Sequence, residues 1–261
     1  MILPVVGYGH PVLRVVCPDI DKSYPELDKL ISFVPGHTMV LTGIPNHGKS
    51  PFALNVMAAL SIRHKWKWAI FSPEHKPLSI FLAKICELLL GKRMRQGIGF
   101  SDTEKNWCRE FIREHFFFIE PENGDNTVKS VIDKCKYLVL TKGVKGFLAD
   151  PWNKFEHKME KGENETAYIS RSLDEIIYFG QSYEVFSIIV AHPTKIRKDR
   201  DGKYEVPTLY DIAGSANWYN KPDWGICFYR DFETNISTIY VQKSKWEHLG
   251  QTGFVDVHYN I

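Results

Sequence analysis

The chain is 261 residues long, and its 44% hydrophobic and 25% charged residues are typical of a globular protein with a sizeable core. The formal net charge of +2 is too small to indicate nucleic acid or a membrane, so any basic surface must be local. Five cysteines are scattered without a CxxC pair, which argues against a zinc site or a disulfide framework and favours a reducing compartment. Since no apolar run approaches the roughly 20 residues of a membrane span and no signal-peptide pattern is present, we expect a cytoplasmic protein without membrane contact.

Apolar strand-like runs alternate with helical stretches from about residue 34 onward. Because strands that alternate with helices pair in parallel and are covered on both faces, this order predicts an α/β protein with a mostly parallel central sheet. In chain order, the predicted elements are a strand at 37–42, a helix to 63, a strand at 66–72, a helix at 77–90, a helix at 101–115 that opens with a capping box, a strand at 116–120, a helix at 127–141, a strand at 144–150, a helix at 165–182 and a strand at 185–191.

Three more strand-like runs follow without helices between them, at 225–229, 236–242 and 253–258. Short runs of this kind are typical of strands joined by hairpins. Antiparallel strands are therefore predicted at the edge of the sheet that the C-terminal part of the chain forms.

Residues 43–50 read Gly-Ile-Pro-Asn-His-Gly-Lys-Ser, a complete G-x-x-x-x-G-K-[ST] motif between a predicted strand and a predicted helix. Glycines let the backbone curl so that successive N–H groups face phosphate oxygens, and the helix N-terminus adds its positive end. The lysine supplies a charge to the β- and γ-phosphates of ATP, and the serine hydroxyl suits Mg²⁺. The predicted nucleotide-binding residues are Gly43, Pro45, Asn46, His47, Gly48, Lys49 and Ser50.

Polar side chains end three strands that follow this motif. Asp150 closes the apolar run GFLAD, Glu74 closes AIFSPE, and His192 closes IIVAH. Since ligands bind at the carboxyl ends of strands in open α/β sheets, we predict that Asp150 and Ser50 hold Mg²⁺ and that Glu74 orients the attacking water. His192 is predicted to contact the γ-phosphate. The alternatives are that the two acids cap turns before neighbouring prolines and that His192 is an ordinary loop residue.

These motifs together resemble the RecA-like motor domain of hexameric replicative helicases, the DnaB and phage primase-helicase group of superfamily 4. The likeness extends from about residue 24 to the end of the chain. The stretches that carry it, besides the phosphate loop, are Tyr-Pro-Glu-Leu-Asp-Lys-Leu at 24–30 with Pro-Gly at 35–36, Phe-Ser-Pro-Glu at 71–74, Asp-Pro-Trp-Asn at 150–153, Ala-His-Pro-Thr-Lys at 191–195, residues 207–223, and Val-Gln-Lys-Ser-Lys-Trp at 241–246 with Gly250 and Gly253.

The resemblance implies a RecA-like P-loop NTPase that hydrolyses ATP with Mg²⁺, moves on single-stranded DNA and assembles into a ring of the hexameric type. It also implies that Lys243 and Lys245 reach into the ATP site of the neighbouring subunit. Lys245 stands where the family carries an arginine finger, and a lysine lacks the planar fork of a guanidinium. A primase or another replication protein is the partner that the resemblance implies in trans.

A basic, glycine-containing loop at residues 195–203, called the basic loop below, follows His192. In a ring ATPase such a loop faces the central channel, where basic side chains track phosphates without reading sequence. By itself the charge run favours a solvated surface loop, since Asp199 and Asp201 dilute it, and only the resemblance reverses that preference. The DNA-binding residues predicted in this way are Lys195, Arg197, Lys198, Arg200 and Lys203.

The first residues resemble the start of a bacterial peptide deformylase, namely MILPVVGYGHPVLR followed by Asp-Ile-Asp-Lys at 19–22. The catalytic segments of that enzyme, GLAAPQ, EGCLS and HExxH, do not occur in the chain, so deformylase activity is not expected. We predict a leader segment at residues 1–31 and a RecA-like ATPase domain at residues 32–261.

Two other functions stay open at the level of sequence. No primase or collar domain precedes the motor in this sequence, which leaves a RecA-like regulatory module that binds nucleotide and DNA without unwinding. A small-molecule P-loop kinase is the second alternative, although only the 195–203 loop is available as its lid.

Overall fold

The computed structural model describes residues 26–92, 99–121, 124–194, 196–198, 200, 202–214 and 216–258. The strands in this part of the chain are β1 (Thr38–Thr42), β2 (Trp68–Phe71), β3 (Phe116–Phe118), β4 (Gly146–Ala149), β5 (Phe186–Val190), β6 (Trp224–Arg230), β7 (Ile236–Ser244) and β8 (Gly253–His258). The α-helices are α1 (Lys49–His64), α2 (Leu78–Leu90), α3 (Asp102–His115), α4 (Val128–Lys142), α5 (Glu165–Tyr183) and the short α6 (Asn217–Asn220).

All strands of the described residues join one sheet in the order β3-β2-β4-β5-β1-β6-β7-β8. The pairs from β3 to β6 are parallel, whereas β6–β7 and β7–β8 are antiparallel. The predicted α/β class, with a mostly parallel sheet and antiparallel strands at its C-terminal edge, is confirmed. One detail differs from the prediction: β6 is not an edge strand, because it pairs in parallel with the central strand β1.

Helices cover both faces of the sheet, as the apolar composition of the strands predicts. One cluster of buried side chains joins the sheet to α1, α2 and α3, through residues such as Phe52, Ile85 and Cys108. A second cluster on the other face includes Val131 of α4 and Ile176 of α5. Strands β1, β2, β4 and β5 are buried along their whole length. Polar side chains from this part of the sheet can therefore reach solvent only in the residues that follow the strand ends.

The division into a leader and an ATPase domain stays a prediction. Residues 1–25 lie outside the described residues. Leu27 and Ile31, which the prediction assigns to the leader, are fully buried and belong to the same core cluster as α1. Among the described residues, no helix combines the length and the apolar character that crossing a bilayer requires.

Candidate nucleotide site

The loop between β1 and α1 curls because three of its residues have positive φ angles. These angles are 141° at Gly43, 66° at Asn46 and 115° at Gly48. A Cβ atom on Gly43 would lie 2.2 Å from the carbonyl oxygen of Phe228 in β6, so this position requires glycine. The phosphate loop can therefore lie this close to β6 only because the motif has glycine at position 43.

Lys49 begins α1 and folds back over the loop. Its Nζ donates to the carbonyl oxygens of Gly43 (2.7 Å) and Ile44 (2.9 Å). The residue is only 5% exposed. Burial lowers the pKa of this ammonium to about 8, although the nearby carboxylate of Asp150 and, more weakly, that of Glu74 favour its charged form.

Asp150 follows β4 and lies beside the start of α1. It is 3% exposed, and its side chain forms a hydrogen bond with that of Ser50. Burial raises the pKa of Asp150, while the Ser50 hydrogen bond and the nearby His75, His192 and Lys49 oppose the shift. Its Oδ2 atom has no hydrogen-bond partner among the described residues.

A buried carboxylate oxygen without a partner, next to a serine hydroxyl, is a donor set that suits a hard cation. Mg²⁺ prefers one or two carboxylate or hydroxyl oxygens from the protein and completes its shell with water and substrate phosphate. Ser50 and Asp150 therefore fit the ion that the motif implies.

Glu74 follows β2 and is 42% exposed at its side chain. Its charge acts on Lys49 and on His192, so it belongs to the same edge of the sheet. Its Oε1 also lies 3.3 Å from Nζ of Lys154, an ion pair that the sequence did not indicate. The Glu74 carboxylate thus lies close to the phosphate loop and beside the partly exposed ammonium of Lys154.

His192 follows β5 and faces the same group of charges. Burial lowers its pKa, and the Lys49 ammonium lowers it further, while Glu74 and Asp150 act in the opposite direction. Its Nδ1 atom is buried and makes no hydrogen bond within the described part of the chain. The ring therefore carries one buried nitrogen whose hydrogen bonding is not satisfied by the described residues.

Two residues of the site were not predicted. Ser72 Oγ donates to the backbone oxygen of Asp150 (2.9 Å) and lies 2.6 Å from Nδ1 of His75. That same nitrogen of His75 is 4.0 Å from Oδ2 of Asp150. The sequence offered one sign of their role, namely that both lie in the Phe-Ser-Pro-Glu-His stretch together with Glu74. A serine or a histidine by itself does not indicate contact with Asp150, which follows a different strand.

His47 has a structural role within the phosphate loop. Its Nδ1 accepts a hydrogen bond from the backbone N–H of Arg230 at 3.1 Å. Its ring packs against Tyr229 and Phe232, with centroid distances of 5.2 and 5.0 Å. The loop is therefore attached to the β6–β7 hairpin through this side chain.

Lys243 and Lys245 lie far from this loop within their own chain, because β7 runs antiparallel to β6. Ser244 pairs with Trp224, the first residue of β6, at the end of the sheet opposite to the phosphate loop. Lys243 Nζ donates to the carbonyl oxygens of Tyr219 and Asn220, and Lys245 Nζ lies 3.3 Å from Oδ1 of Asp223. These contacts hold both lysines away from their own phosphate loop, and their action on a neighbouring subunit stays a prediction.

The basic loop leaves the same edge of the sheet as His192. Lys195 lies outside the described residues, while the other four predicted DNA-binding side chains are exposed. Lys198 and Tyr204 form an antiparallel bridge, so Lys198 of the loop lies side by side with Tyr204, which directly follows the loop. Lys203 is not a free cation, because its Nζ is 2.6 Å from Oε2 of Glu233 and 3.8 Å from Oδ2 of Asp231.

The family profile described as the DnaB-like helicase C-terminal domain matches residues 19–260. The Twinkle homolog protein, chloroplastic/mitochondrial, of Arabidopsis thaliana is 31% identical over 246 residues, which are 90% of this chain and 34% of that protein. The chain thus spans about a third of the length of this curated relative. A further match of 32 residues, 12% of the chain, is 56% identical to 16% of the peptide deformylase of Christiangramia forsetii.

Solved structures share the architecture at low sequence identity. One of them, described as an ATPase domain, superimposes with a TM-score of 0.71 at 16% identity, covering 90% of this chain and 86% of that one. A DnaB-like replicative helicase, described with its interactions with primase, gives a TM-score of 0.72 at 17% identity, with 90% and 59% covered. Because the profile match covers nearly the whole chain, the chain belongs to the DnaB-like helicase C-terminal domain family, and it shares the fold of these structures.

Proposed function

We propose that this domain hydrolyses Mg-ATP and uses the energy to translocate on single-stranded DNA as a ring. The observation that carries the proposal is the meeting of Lys49, Ser50 and Asp150 at one edge of the sheet, where an Asp150 oxygen has no partner among the described residues. Glu74 and His192 follow the neighbouring strands at that edge. Family membership does not favour the alternative of a regulatory module that binds nucleotide without unwinding.

We assign each residue a role from its position and its chemistry. The loop amides and Lys49 would bind the β- and γ-phosphates, and Ser50 and Asp150 would hold Mg²⁺, which neutralises charge on the phosphate oxygens when bound. Glu74, whose carboxylate also contacts Lys154, would accept a hydrogen bond from the attacking water. His192 would donate a hydrogen bond from its ring to a γ-phosphate oxygen.

The placement of Lys243 in β7 and of Lys245 directly after it supports a ring. Since Lys243 and Lys245 lie at the end of the sheet opposite to their own phosphate loop, they would serve the ATP of an adjacent subunit. The exposed side chains of Arg197, Lys198 and Arg200 would follow the DNA phosphates. We extend the proposal to a hexamer, to a primase or replication partner in trans, and to a cytoplasmic location.

The test is ATP hydrolysis with and without single-stranded DNA, in the original protein and in Lys49→Ala. Removing the ammonium that bridges the loop carbonyls should reduce turnover at least about a hundredfold, as loss of a charged transition-state donor does elsewhere. Lys142→Ala, at the exposed end of α4, is the matched control and should hydrolyse ATP normally. Unchanged turnover in Lys49→Ala would exclude the site.

Strand displacement on a forked duplex tests the motor itself. A translocating motor should show hydrolysis that DNA stimulates and displacement that Lys49→Ala abolishes. Hydrolysis that ignores DNA, together with no displacement, would instead favour the regulatory module.

A further inference from the structure

A cavity of about 270 Å³ lies at the root of the basic loop, outside the nucleotide site. Both ends of the loop contribute to it, because Glu205 N donates to Arg197 O and Thr194 N donates to Asp211 O. Its volume is slightly below the roughly 300–1,000 Å³ of sites for drug-sized ligands, so a single planar group suits it better than a large ligand. The cavity is lined by Ile196, Arg197, Glu205, Val206, Pro207, Thr208, Tyr210 and Asp211.

Tyr210 supplies an aromatic wall whose orientation is already set. The side chain is 59% exposed, yet its ring stacks on that of Tyr219 with a centroid distance of 4.7 Å and an interplanar angle of 18°. Tyr219 is itself held, since Lys243 donates to its carbonyl oxygen. An exposed ring that is supported on one side loses little conformational freedom when a second ring stacks on it.

The charges around the cavity determine how a nucleotide would enter. The carboxylate of Asp211 accepts hydrogen bonds from the backbone N–H and the hydroxyl of Thr208, and Glu205 is a second acid in the lining. These acids repel a phosphate but accept hydrogen bonds from exocyclic amines such as N4 of cytosine. Arg197, the basic residue of the lining, offers the positive charge that a phosphate outside the cavity needs.

We propose that this cavity binds one unpaired base of single-stranded DNA, stacked on Tyr210 with its amine toward the acids and its phosphate toward Arg197. The inference rests on the proposed function, because it takes single-stranded DNA as the ligand of the basic loop. It adds a contact to the base, whereas Lys198 and Arg200 would contact only the DNA backbone. Aromatic stacking of this kind contributes binding free energy that does not depend on counterion release.

The experiment compares two strands that carry identical phosphates. One is an oligo(dC), and the other is an abasic oligomer of the same length; binding is measured by fluorescence anisotropy with a non-hydrolysable ATP analogue present. Tyr210→Ala should weaken binding of oligo(dC) at least about fivefold and leave binding of the abasic strand unchanged. Tyr210→Phe should keep the affinity of the original protein, because it retains the ring.

Two controls separate the base contact from the phosphate contacts. Tyr178→Ala removes another exposed tyrosine, 72% accessible on α5, and should change neither affinity. Arg200→Ala should weaken both strands to the same extent. ATP hydrolysis without DNA should be unchanged in Tyr210→Ala, which shows that the variant is folded.

Equal weakening of both strands by Tyr210→Ala, or no effect on either, would overturn the base site while the DNA-binding function stands. If the original protein bound neither strand, the proposed function and this site would both be overturned.

Discussion

Lys49 carries a positive charge in a place from which most water is excluded. Its ammonium makes two hydrogen bonds to carbonyl oxygens of the loop, and burial still lowers its pKa to about 8. Keeping a cation where phosphates are expected therefore costs the free protein stability. A bound triphosphate would offset that cost by stabilising the charged form.

Nucleotide affinity should therefore fall as the pH rises above about 8. In the free protein Lys49 loses its proton through that range, whereas the phosphate-bound form keeps it, so binding takes up a proton and weakens with pH. The dissociation constant should rise roughly tenfold between about pH 7 and about pH 9. Titration of a fluorescent ATP analogue at several pH values measures this directly.

Lys49→Arg is the control for that pH dependence. A guanidinium stays charged throughout the range, so the variant should show no slope, even if its affinity is lower at every pH. A flat profile in the original protein, or the same slope in Lys49→Arg, would contradict the assignment of the titration to Lys49.

At the scale of elements, α3 depends on a cap that the sequence predicts. Ser101 Oγ accepts a hydrogen bond from Glu104 N (3.2 Å), and Glu104 Oε2 accepts one from Ser101 N (2.9 Å). The capping box anticipated from Ser-Asp-Thr-Glu is therefore confirmed. The two partners are close neighbours in the chain, which is why local sequence sufficed.

Ser101→Ala should lower the free energy of unfolding by about 1 kcal/mol, because the N–H of Glu104 loses its partner at the helix start. The shift of the urea unfolding midpoint measures the change. Thr103→Ala, an exposed substitution in the same first turn, is the control and should leave the midpoint nearly unchanged. Equal shifts for the two variants would show that the cap does not stabilise the helix.

At the scale of the whole molecule, the sheet separates two functional groups that the proposed reaction needs together. Lys49 follows the carboxyl end of β1, whereas Lys245 follows the end of the antiparallel β7. Lys245 rests against Asp223, which also accepts a hydrogen bond from the backbone N–H of Thr38 at the amino end of β1. If both groups serve one ATP, as proposed, they must come from two subunits.

Mixing two inactive variants should restore hydrolysis. Lys49→Ala retains Lys245, and Lys245→Ala retains an intact phosphate loop, so a mixed ring contains some complete interfaces. We expect each variant alone to be strongly impaired and the equimolar mixture to recover a measurable fraction of the original turnover. A mixture no more active than the mean of its components would contradict action in trans.

Local sequence patterns were sufficient to predict the alternation of strands and helices, the phosphate loop, and the strand ends at Glu74, Asp150 and His192. Each depends on side-chain period or on residues adjacent in the chain, which any fold of this class must respect. The position of β6 beside β1, the ion pair of Glu74 with Lys154, the contact of His75 with Asp150 and the pairing of Lys203 with Glu233 emerged only from the folded chain. These contacts join strand ends and loops that are distant in the sequence. An exposed charged side chain pairs with whichever opposite charge the fold brings near it, and no local pattern encodes that.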